Sequence, residues 1–109
     1  MDGSITYEEF KKLDIRVAKI LDVQDHPNAD RLYVISVDTG LERRTIVAGI
    51  KNFYTKEELI GKSIVLLANL EPAVIRGVES SGMLLAASDE NGIYALFPDK
   101  NPKIGSKIS

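Results

Sequence analysis

The sequence predicts an all-β fold, a five-stranded barrel with short helices and a C-terminal strand extension. Three observations carry that reading. Apolar and polar residues alternate with a period of two along most of the chain, as in half-buried strands. The longest such run, Leu13 to Val23, loses its phase at Lys19 and Ile20, as a strand does when a bulge bends it from one sheet into another. Gly, Pro, Asn and Asp clusters separate the runs at short intervals, with one helical interruption midway.

The elements follow in order. Ser4 or Thr6 caps a short helix, Thr6 to Lys12, whose first turn holds Glu8 and Glu9 where the helix dipole favours acids. The first strand sets Leu13, Ile15, Val17, Leu21 and Val23 on the expected core face, with Asp14, Arg16, Ala18, Ile20 and Asp22 on the other. His26 to Asp30 is turn chemistry: proline fixes φ, and Asn and Asp bond locally to backbone. A second strand, Leu32 to Asp38, turns at Thr39-Gly40-Leu41-Glu42 into a third, Arg43 to Ile50, where Gly49 marks a bulge or close approach. Thr55 caps a turn of helix that Gly61 ends. Lys62 to Leu70 is the fourth strand, apolar enough from Ile64 to Ala68 to expect burial on both faces. Glu71 to Gly82 reads as a long loop. Met83 to Ser88 and Ile93 to Phe97 form a hairpin about Asn91-Gly92, and Lys103 to Ile108 adds a last short strand. Five or more strands, a helix between the third and fourth, and a bent first strand together describe the oligonucleotide/oligosaccharide-binding (OB) barrel.

The 109 residues suffice for one domain, 1–109, and show no repeat or linker. The absence of cysteine excludes disulfide scaffolds, thiolate metal sites and cysteine hydrolases. Apolar runs are far shorter than a membrane span and the acidic start is unlike a targeting peptide, so a cytoplasmic protein without membrane contact is expected. Gly61-Lys62-Ser63 does not complete a phosphate-binding loop: Lys56 stands where the upstream glycine is needed, and a strand follows instead of a helix. The sole histidine, His26, lies between Asp25 and Asp30 with no further ligand and no partners for a nucleophile–base triad. Glu8-Glu9, Glu57-Glu58 and Asp89-Glu90 read as solvated surface. No enzyme activity, metal or cofactor is expected.

The net charge of −2 argues against a broad polyanion-binding blanket, and only local basic clusters are available. The unusual stretch is Leu70 to Ala87, where Arg76, Ser80 and Ser81 precede Gly82-Met83 and an apolar strand. A cation, small hydroxyls and a soft thioether are what a groove needs for a phosphate, a ribose hydroxyl and a base face. Arg16 on the first strand, and Lys51 and Asn52 after the third, can join them.

These residues also carry a resemblance. Asp14-Ile-Arg-Val17, His26-Pro-Asn-Ala-Asp-Arg-Leu-Tyr33, Asn69-Leu-Glu-Pro72 and Arg76-Gly-Val-Glu-Ser-Ser-Gly-Met83, in that order, resemble the tRNA-binding domain of methionyl-tRNA synthetase C-termini and β-subunit-type proteins. Similar domains occur in free-standing tRNA-binding proteins, and the likeness runs from about Leu13 to Ser109. It implies an OB barrel that grips folded tRNA by shape and backbone with little sequence dependence. It also implies a homodimer built largely from C-terminal segments, serving a methionyl-tRNA synthetase. The family's binding positions fall on Arg16, Lys51, Asn52, Arg76, Ser80 and Met83, while Gly77 and Gly82 shape the loop. Ala18, Ala48 and Ala73 stand where relatives often carry glycine, serine and a basic residue, which implies weaker RNA affinity. Two other roles suit the same likeness: a dimerisation or docking module of a synthetase complex, using Ile93 to Phe97 and Ile104 to Ile108, and a CsaA-type chaperone-like peptide binder.

Overall fold

A computed structural model describes residues 3–109. Thr6, not Ser4, caps α1 (Tyr7–Phe10): its hydroxyl accepts from the Glu9 amide while the Glu9 carboxylate accepts from the Thr6 amide, closing a capping box. The same device starts α2 (Lys56–Leu59), with Thr55 and Glu58 as the reciprocal pair.

The barrel is built on β1 (Ile15–Asp25), which pairs antiparallel with β2 (Tyr33–Asp38) over its second half and with β4 (Ser63–Leu67) over its first. β3 (Arg43–Ala48) extends the sheet beyond β2, and β7 (Met83–Leu84) extends it beyond β4, giving the order β3-β2-β1-β4-β7. The two ends of that order approach each other where the Ser81 amide donates to the Thr45 carbonyl, so the five strands nearly close. β10 (Lys107–Ile108) pairs with β1 at Ile15 and Arg16, filling the edge that β2 leaves open.

The expected bulge is present, between Ile20 and Asp22 in the β1–β2 register. Its effect on the faces differs from the sequence reading. Ala18 and Ile20 point into the barrel, and the extra residue turns the strand over so that Val23 continues the inner face. Val17 is buried on the outer side, under the C-terminal tail: its amide donates to the Ser106 carbonyl, and its carbonyl accepts from the Gly105 amide. β4 is not buried evenly; Ile64 and Leu66 fill the interior with Ile35, Ile46 and Leu59, while Val65 and Leu67 are half-covered.

Two turns differ from the sequence expectation. The segment expected as a long loop holds a hairpin, β5 (Ala73–Ile75) and β6 (Val78–Ser80), joined by Arg76-Gly77. Both turn residues have positive φ, +54° and +92°, the backbone of a type I′ turn. In the next hairpin, β8 (Ala86–Asp89) and β9 (Gly92–Ala95), the turn is Glu90-Asn91, one residue earlier than expected. The Asp89 carboxylate accepts from the amides of Asn91 and Gly92 and fixes that turn. Gly92 also lets Phe53 pack close: a Cβ there would lie 3.1 Å from the ring and press on it.

Candidate nucleic-acid interface

Arg76 sits at the tip of the β5–β6 hairpin, and the loop after β1 holds that tip in place. His26 is buried; its Nδ1 accepts from the Asn28 amide (2.9 Å), which leaves Nε2 to carry the proton and donate to the Ile75 carbonyl (2.9 Å). Asn28 Nδ2 donates to the Arg76 carbonyl (3.1 Å), and the Arg76 guanidinium returns a bond to the Asn28 carbonyl (3.2 Å). The histidine is therefore a cross-link between two loops. The guanidinium remains exposed, presented by backbone that both loops restrain.

Lys51 and Asn52 lie beside the start of the same loop. Lys51 Nζ is 3.2 Å from one oxygen of Asp25, the last residue of β1, and Lys56 Nζ is 3.3 Å from the other. Asp25's carboxyl is held below its ordinary pKa, first by the hydrogen bond from Lys51, with desolvation opposing and Lys56 adding to the lowering. Tyr33 fixes this corner by donating its hydroxyl to the Tyr54 carbonyl (2.7 Å). Phe53, half exposed, shares the Lys51–Lys56 cleft of about 500 Å³.

The remaining sequence-derived residues lie elsewhere. Arg16 is at the opposite end of β1, its Nε donating to Asp14 (2.8 Å). Its register partner is the buried Leu66, so it projects from the inner face at the barrel rim. Met83 pairs with Leu67, which pairs with Ile15, so Met83 is a short step from Arg16 but on the outer face, where it is 47% exposed. The structure thus groups Lys51, Asn52 and Arg76 around residues 25–28 and leaves Arg16 and Met83 at the other end of β1, on opposite faces of the sheet.

Ser80 corrects the reading of its hydroxyl as open to a ligand. It is buried, accepts from the Val47 amide (2.9 Å) and donates to the Gly82 carbonyl (3.2 Å), so its only donor hydrogen and one of its lone pairs serve the barrel seam. The largest groove, about 760 Å³, runs between β3 and residues 68–72. Arg43 and Arg44 line it against Glu42, Glu71 and Glu79, and Arg44 is already bound to Glu42 and to the Ala68 carbonyl. Sequence reasoning overlooked Lys56 and Phe53. Their signal was faint: a lysine next to a capping threonine and an aromatic in a turn.

A family model described as a putative tRNA binding domain matches residues 15–107. The chain belongs to this family. The methionine–tRNA ligase of Pyrococcus furiosus is 56% identical over 104 residues, which are 95% of this chain and 14% of that protein. The chain therefore spans about one seventh of the length of such relatives. Among solved structures, a CsaA chaperone protein from Picrophilus torridus superposes with a TM-score of 0.91 at 35% identity, covering 97% of this chain and 100% of that one. A MetRS-related protein from Pyrococcus horikoshii gives 0.90 at 33% identity, with coverages of 97% and 98%. The barrel is thus shared with both a synthetase-related and a CsaA-type protein.

Proposed function

We propose that this domain binds folded tRNA through its backbone, with little dependence on sequence, as a cytoplasmic accessory to methionyl-tRNA synthesis. The observation that carries the proposal is the family match across nearly the whole barrel. The geometry around residues 25–28 supports it: Arg76 is exposed on a rigid type I′ tip, with Lys51 and Asn52 alongside. Arg16 contributes a further cation and Met83 an apolar contact for a base face. Ser80 acts by fixing the loop that presents Arg76 and Met83. The domain works as a homodimer, its partner covering the exposed Tyr94, Leu96 and Phe97. It contributes binding, and catalysis belongs to the synthetase.

The test is titration of tRNA at a series of salt concentrations. Three or four phosphate contacts at about 0.7 to 0.9 each give a log–log slope near −2 to −3.5. Arg76→Asn, which tolerates the positive φ, should weaken binding severalfold without unfolding the protein. Absence of binding at low salt, or competition by unfolded peptide at the same site with higher affinity, would reject the proposal.

A further inference from the structure

The C-terminal tail, expected from sequence to serve dimerisation, packs on its own barrel and carries an unmatched group of cations. Lys107 stands directly opposite Arg16 in the antiparallel register of β1 and β10. Residues so placed project from one face, and like charges there repel and weaken the pairing. Lys103 lines the same cleft as Arg16, about 270 Å³ between the tail and the β2–β3 turn, and no carboxylate lines it. Asp14 pairs with Arg16, while among the described residues neither Lys103 nor Lys107 has an ion-pair partner; both are exposed.

The cleft is also rigid. Gly40 and Gly105 meet back to back, close enough that a Cβ on Gly40 would lie 2.9 Å from the Gly105 Cα. The grooves of about 760 and 500 Å³ contrast in charge: three glutamates face two arginines in the first, and Asp25, Glu57 and Glu58 outnumber the cations of the second. A cleft of about 330 Å³ lined by Lys62 and Lys100 also lacks a carboxylate, but it holds no cross-strand cation pair like that of Arg16 and Lys107. A cross-strand cation pair with a third cation in the same cleft is a local conflict, and a bound anion would resolve it.

We propose that Arg16, Lys103 and Lys107 form a second phosphate-contact site for RNA, at the far end of β1 from Lys51 and Arg76. The inference rests on the tRNA-binding reading above. With eleven residues in β1 at about 3.3 Å each, the two sites lie at most roughly 35 Å apart along the strand, so one folded RNA can reach both.

The test uses the full chain and unfractionated tRNA, titrated from 50 to 200 mM salt. Lys103→Ala/Lys107→Ala should flatten the log–log slope by about 1.4 to 1.8, two contacts' worth. Lys103→Arg/Lys107→Arg should retain the wild-type slope, and thermal unfolding should place the alanine variant at or above the wild-type midpoint, since a repulsion has been removed. An unchanged slope in the alanine variant, with wild-type binding intact and still sensitive to Arg76→Asn, overturns the tail site alone. Failure of the wild-type protein to bind tRNA overturns both this site and the reading on which it rests.

Discussion

Ser80→Ala separates a structural serine from an RNA-contacting one. Ser80 is 5% exposed, and its hydroxyl accepts from the Val47 amide at 2.9 Å and donates to the Gly82 carbonyl at 3.2 Å. Removing it orphans a buried N–H at the seam between β3 and β6, a loss of about 1 to 3 kcal/mol. For a domain of this size each kcal/mol moves the thermal midpoint by about 4 to 8 °C, so a fall of roughly 10 °C is expected. Urea unfolding should show the same loss with unchanged slope, because the exposed surface does not differ. Measured well below the lower midpoint, tRNA affinity should stay within about twofold of wild type. The reasoning fails if affinity drops tenfold while the midpoint holds, since the hydroxyl would then be spent on ligand and not on the seam.

Asp25→Asn should free Lys51 and Lys56, tightening tRNA binding and steepening its salt slope by about 0.7 to 1.8. Because the folded-state pKa of Asp25 is depressed, the stability its ion pairs supply is present above the unfolded carboxyl's pKa and lost as pH falls through the folded value. The gap in unfolding midpoint between wild type and this variant should therefore close below about pH 4. Gly40→Ala places a Cβ against the Gly105 backbone at a φ of +88°, and should cost about 1 to 3 kcal/mol. Trypsin should then cut at Lys103 and Lys107 faster than in the wild-type protein.

Most of the barrel was legible because its signals are local. Caps at Thr6 and Thr55, the alternation of β2 and the break in β1 each sit within a few residues of what they determine. The inner face of β1 was not legible, since one inserted residue reverses every side chain before or after it and the sequence does not say which half faces the core. The β5–β6 hairpin was missed because arginine is a poor advertisement for a left-handed turn residue; the alternation in Ala73–Ile75 and Val78–Ser80 around Gly77 was the available sign. The candidate residues suffered from the same limit. A serine in a loop gives no hint that a distant amide, that of Val47, will claim it. His26 read as an ordinary turn residue until the Ile75 carbonyl came within reach of its ring. Lys107 became notable once its register put it across from Arg16.

The pairing of β10 with β1 also bears on how the protein is made. About a quarter of one edge of the first long strand waits for residues at the far end of the sequence, so Ile15 to Val17 stay unpaired on that side until the tail has left the ribosome. During that interval the nascent chain offers a short open edge to any neighbouring strand, including the tail of another copy. Gly40 and Gly105 let the two backbones nestle equally well for either tail, so it is the tether within one chain that favours completion of the barrel from within.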